Sequence, residues 1–212
     1  MAKVQCQLWT PIANAYEAYR RRLIGSSTAI YEHTWRLIHI EESLVVTLSA
    51  SLATRLLVIW QEQPNMSEQL NKLRTLITGI KQDDAGEPDF DSDNVGCLRG
   101  SIGAWLDFLS WFLKLDEQFE CSFVVCVKDY LEKVPDGNPS LAFLTAWQRI
   151  ESVKGFKGNE LKRIDRLKAI NSLRNKLAHV PISHRIFRDL YEGLRQEVLS
   201  LLTPLTDWQK KV

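Results

Sequence analysis

The residues best suited to chemistry lie in one stretch, AINSLRNKLAHVPISH, from Ala169 to His184. Arg174 precedes His179 by five positions, Asn175 stands beside the arginine, and Pro181 follows. Such a pair can act on a phosphodiester. A guanidinium can hold the phosphate in a fork, and an imidazole titrates near neutral pH and can take or give a proton. Spacing alone carries little weight. With 14 Arg and four His in the chain, and three spacings allowed, chance supplies about 0.8 such pairs.

The context carries more. Ile164, Leu167, Ile170, Leu173 and Leu177 recur at helical period, which predicts a helix over about Asn159–Ala178 with a core-facing stripe. Arg174 and Asn175 are expected at the edge of that stripe or beyond it. His179 falls in the last turn, because Pro181 disfavours helical geometry just before it. Positions five apart lie about 140° around a helix, so Arg174 and His179 do not stack on one another. Between Lys154 and Lys176 the cations Lys154, Lys157, Lys162, Arg163, Arg166, Lys168, Arg174 and Lys176 face only Glu160 and Asp165. That local excess suits a phosphate backbone. The plainer reading is a solvated helix face whose cations, His179 included, favour the helix C-terminus.

The remaining elements are also helical. Thr10-Pro11 opens a helix to about Leu23, and Gly25–Ser27 interrupts the chain. A long helical stretch, in one or two pieces, is expected from about Thr28 to Gln61. Its stripe is Ile30, Leu37, Leu44, Leu48, Leu52, Leu56 and Ile59. Asn65 with Glu68 has the form of a capping box for a helix to about Lys81. Further helices are expected over Ser101–Leu115, Cys121–Val134 and Ser140–Val153. Ser183 caps a last one with the stripe Phe187, Leu190, Leu194, Val198, Leu201 and Leu202. No segment shows sustained strand alternation. The expectation is a single all-α domain over 1–212, a helical bundle of about seven or eight helices.

The acidic loop at about 83–97 places Asp89, Asp91 and Asp93 as a calcium loop would begin. Asn94 stands where such a loop needs glycine, and Gly100 where it needs glutamate, so a solvated loop is expected. Cys6, Cys97, Cys121 and Cys126 form no C-x-x-C pair and lie in apolar contexts, which points to reduced thiols and not to zinc or a disulfide framework. The N-terminus lacks an apolar signal core before its basic cluster. The apolar run Ser43–Trp60 carries Arg55 and several hydroxyls, and reads as a buried core helix. A cytoplasmic location with no membrane partner is the expectation. Net charge is +1, so a polyanion would meet a local patch and no global field. His184 is too far from His179, across Pro181, for a two-histidine metal site. His33 and His39 lie near Glu41 and Glu42, where a surface salt-bridged face is expected, with an auxiliary acid as the alternative. The seven Trp are spaced as core fillers, with no platform for stacking bases.

The segment LRNKLAH, set near the end of an all-helical chain with one more helix after it, resembles the HEPN superfamily. Nucleolytic members carry Arg, four to six residues, then His, with a polar residue after the arginine, here Asn175. The resemblance covers the motif and the helical architecture. It implies a HEPN-like fold and a metal-independent endoribonuclease with no cofactor, working as a homodimer in which two motif-bearing helices build a composite site. It implies Arg174 on the scissile phosphate, His179 as acid or base, Asn175 orienting, and Lys176 and Lys168 adding affinity for RNA. Attack by the 2′-hydroxyl would leave a 2′,3′-cyclic phosphate. Phage defence or a toxin–antitoxin-like stress response is the implied setting, with a neutralising or activating protein partner. A toxin branch has a tyrosine two residues after the histidine; here that place is Pro181, so control by modifying such a tyrosine is not available. The rival readings are a non-catalytic helical module of the same fold that docks a partner protein, and a structural all-α domain from a longer chain.

Overall fold

The computed structural model describes residues 10–21, 29–78, 81–82, 88–89, 101–115, 119–135, 161–179 and 184–205. These residues are all-α. In order they form α1 (Thr10–Arg21), α2 (Ala29–Gln61), a 3-10 turn (Pro64–Met66), α3 (Ser67–Thr78), α4 (Ile102–Phe112), α5 (Ser122–Glu132), α6 (Arg163–His179) and α7 (His184–Leu202). Among the described residues, extended structure is confined to β1 (Lys81–Gln82) paired antiparallel with β2 (Pro88–Asp89), Lys81 opposite Asp89. The interruption at Gly25–Ser27, the helix expected over Ser140–Val153 and most of the acidic loop at 83–97 lie outside the described residues.

One local expectation left open is settled and another is corrected. The long second segment is one continuous helix, because no Pro or Gly falls between Ala29 and Gln61 to break it. The Asn65–Glu68 capping box does not open the next helix. Pro64 starts a 3-10 turn behind an extended Gln63 with no side-chain cap, Asn65 sits inside that turn, and the α-helix follows from Ser67. Proline has its φ already fixed for a first helical position, which places the entry there.

The chain divides into two compact units, Met1–Thr47 with Asp129–Val212, and Leu48–Lys128. In the first, the predicted stripes of α6 and α7 are core: Leu167, Ile170, Leu173, Leu190, Leu194 and Leu201 are inaccessible to solvent. Polar contacts tie its helices pairwise. The Tyr19 and Tyr191 hydroxyls share a 2.9 Å hydrogen bond between α1 and α7, and the His33 ring of α2 packs 6.1 Å from each tyrosine ring. Tyr130 of α5 donates its hydroxyl to the Leu201 carbonyl at 2.8 Å. In the second unit, Leu48, Leu52, Leu56 and Trp60 of α2 are buried, as are Leu73 of α3 and Trp105, Phe108, Leu109 and Phe112 of α4. Trp60 meets Trp111 edge to face at 6.1 Å, a favoured aromatic geometry. α2 is long and apolar enough to cross a membrane by length and composition, and 44% of its apolar window is buried. The residues from Leu37 to Trp60 are buried at helical period, as a core helix requires.

Candidate functional site

Three arginines lie on α6, and the structure gives them different employment. Arg163 is 5% exposed; its Nη1 donates to the Tyr130 carbonyl at 3.1 Å and its guanidinium lies 4.8 Å from the Tyr130 ring centre. Arg166 is 2% exposed, and its Nη1 donates to Glu197 Oε1 of α7 at 2.9 Å. Burial raises the Glu197 carboxyl above its ordinary range, and the Arg166 ion pair opposes that without cancelling it. Arg174 keeps 35% of its side chain exposed.

The basic flank is therefore smaller than the residue count implies. Arg163 and Arg166 face the core, and Lys162 lies 3.7 Å from Glu132. Lys168 and Lys176 are exposed, while Lys154 and Lys157 lie outside the described residues. The reason is helical spacing. Arg163 and Arg166 stand seven and four positions before the buried Ile170 and so share its face.

The same spacing sets Arg174 at the edge of that stripe: it follows Ile170 by four positions and precedes Leu177 by three, and it is part-exposed. At that end of α6 the stripe meets α2. Arg174 Nε lies 2.5 Å from Glu42 Oε1, an ion pair without the alignment of a hydrogen bond. Arg174 Nη1 donates to Asn175 Oδ1 at 3.3 Å, and Glu42 Oε2 lies 3.3 Å from His39 Nδ1. Beside them, Glu41 is 1% exposed, and neither carboxyl oxygen has a hydrogen-bond partner among the described residues. Burial raises the Glu41 carboxyl well above its ordinary range, Glu42 adds to this and Arg174 opposes it, so its uncharged form is favoured.

Arg174 and Asn175 are thus brought together, and Glu42 joins them. Of the salt-bridged face expected around His33, His39, Glu41 and Glu42, the structure forms the His39–Glu42 pair, with His39 exposed, while His33 and Glu41 are buried. Position 179 is the last of α6, and its side chain is outside the described residues. By helical geometry it lies about 140° from Arg174, about 20° from Lys168 and about 60° from Lys176. Lys168, Lys176 and position 179 therefore occupy one side of α6, and Arg174 occupies another.

Within the second unit a cleft of about 510 Å³ is lined by residues that include Trp60, Met66, Phe119, Glu62 and Glu120. It has no Lys, Arg or His in its lining and so does not suit a polyanion. Among the described residues no group of three His, Cys, Asp or Glu could hold a metal ion. No protein-family model, curated protein or solved structure matches the chain.

Proposed function

We propose that this chain is a HEPN-type endoribonuclease that cleaves RNA without a metal, as a homodimer with a composite site, in phage defence or a toxin–antitoxin-like stress response. The observation that carries the reading is the division of α6. Arg174, half-exposed beside Asn175, occupies one side, while Lys168, Lys176 and position 179 occupy another. Two antiparallel copies of the helix meeting across a two-fold axis would set the arginine of one against the lysine-bearing face of its partner.

RNA brings its own nucleophile. In the proposed reaction one His179 takes the proton of the 2′-hydroxyl, whose oxygen attacks the adjacent phosphorus. The bond to the 5′-oxygen breaks, and that oxygen takes a proton from solvent, to which the imidazolium returns its own, so each site needs one Arg174 and one His179 drawn from different copies. The products are a 2′,3′-cyclic phosphate and a 5′-hydroxyl. Arg174 neutralises the charge that grows on the non-bridging oxygens, the kind of contact that gains most when charge develops. Asn175 holds one nitrogen of that guanidinium, and Lys168 and Lys176 add backbone affinity.

The second reading, a non-catalytic HEPN-like module that docks a partner protein, is favoured by the Arg174–Glu42 pair, since an arginine held by a carboxylate has a structural use. Incubation of RNA in EDTA with wild type, Arg174→Ala and His179→Ala separates the two. Cleavage by wild type alone, with cyclic-phosphate ends, supports the enzyme. Inert wild type leaves the docking module, and cleavage retained in both variants overturns the mechanism.

A further inference from the structure

We propose that Glu42 is a positioning residue for Arg174, aiming the terminal edge of its guanidinium at a bound phosphate. This rests on the reading of Arg174 as the phosphate-binding group. Glu42 meets the guanidinium through Nε, at the stem side of the fork. That contact does not use the edge formed by Nη1 and Nη2, which can face a phosphate end-on with two parallel N–H bonds. Asn175 takes one of the two Nη1 hydrogens, so the planar group is held from two sides.

The surroundings support holding over simple neutralisation. Glu42 keeps 19% of its side chain exposed and has its second oxygen toward His39, so the carboxylate is itself oriented. Glu41, its neighbour on the inward side of α2, favours its uncharged form through burial. An arginine side chain has several rotatable bonds, and fixing it before the ligand arrives removes that ordering cost from binding. The sequence separates the two residues widely, and neither α2 nor α6 alone reveals the partnership.

The test must separate reach from charge. Glu42→Asp keeps the charge and shortens the side chain by one methylene, whereas Glu42→Gln keeps the reach and removes the charge. The ligand is a 2′-O-methyl RNA oligonucleotide, which cannot be cleaved, titrated against the full chain. The expected result is about a tenfold loss of affinity in Glu42→Asp, and no effect of Glu42→Asp once Arg174→Ala is present, as coupled residues behave. Tighter or unchanged binding in Glu42→Asp overturns the proposal and makes Glu42 a competitor or bystander. The Nε–Hε resonance of Arg174 gives a readout that needs no RNA. Wild type should show hindered guanidinium rotation that Glu42→Asp releases, and rotation indifferent to the substitution overturns the proposal even if RNA binds. If wild type fails to bind the oligonucleotide while Glu42→Asp still frees the guanidinium, the ribonuclease reading falls and the positioning contact stands.

Discussion

Arg166 of α6 and Glu197 of α7 form an ion pair at 2.9 Å with side chains only 2% and 1% exposed. Neither charge has bulk water to fall back on, so each depends on the other. Removing one partner strands the other, which costs about 3–5 kcal/mol, whereas replacing both with apolar groups of similar size is often neutral. Arg166→Met is therefore expected to destabilise the fold by about 3–5 kcal/mol, and Arg166→Met/Glu197→Leu to recover most of that loss. Urea unfolding followed by circular dichroism measures both. A single variant within about 1 kcal/mol of wild type means the pair is more hydrated than its burial indicates.

Glu41 makes stability depend on pH with a definite sign. Its folded carboxyl titrates well above the ordinary 4.5, chiefly through burial. Below pH 4.5 the carboxyl is protonated in both folded and unfolded chains and costs nothing. As pH rises further the unfolded chain ionises first, so stability falls until the folded carboxyl ionises too. Glu41→Gln removes this loss, and should be more stabilising relative to wild type at pH 7 than at pH 4. Unfolding free energies at the two pH values decide it; an equal difference at both contradicts the assignment.

The Tyr19–Tyr191 hydroxyl pair is the buried tie between α1 and α7, and burial with the shared hydrogen bond raises the Tyr19 phenol above its usual range. Tyr191→Phe leaves the other hydroxyl without this partner, at a cost of about 1–3 kcal/mol. The double change to Phe removes both polar groups and should cost less than the sum of the two single changes. Thermal and chemical unfolding of the three variants forms the cycle, and strict additivity speaks against a coupled pair.

A composite dimer predicts complementation. Arg174→Ala and His179→Ala should each be inactive alone. Mixed and allowed to exchange subunits, half of the dimers are heterodimers with one intact site, restoring about a quarter of wild-type cleavage if each site draws its groups from two copies. No recovery in a mixture shown to exchange subunits argues for a site within one chain.

The exposed lysines and the buried arginines of α6 should behave differently toward RNA. Lys168→Ala and Lys176→Ala are each expected to lower the salt dependence of RNA binding by about one unit of log–log slope while leaving stability within about 0.5 kcal/mol. Anisotropy titrations of the 2′-O-methyl oligonucleotide at several salt concentrations give the slope, and an unchanged slope in both variants removes these lysines from the interface.

Much of the architecture was legible because helical period is a local property. The stripes of α6 and α7 required only residues three and four apart, and Leu167, Ile170, Leu173, Leu190, Leu194 and Leu201 are core as that pattern implies. The uninterrupted length of α2 was legible in the same way, once the lack of Pro and Gly is weighed. The entry to α3 was misjudged because two start signals, Pro64 and Asn65, stand side by side, and the proline wins by its fixed φ.

The sequence by itself determined the all-α class, the helical stripes and the placing of Arg174, Asn175 and position 179 at the end of one helix. Only the tertiary structure decided which cations remain available. Arg163 and Arg166 read as part of a basic patch until Tyr130 and Glu197, on other helices, are seen to engage them. It also paired Arg174 with Glu42 and left Lys168 and Lys176 facing out. The physical reason is range. Helix propensity and periodicity act over a few residues, whereas an ion pair forms wherever packing brings two charges within about 4 Å, however far apart they lie in the chain.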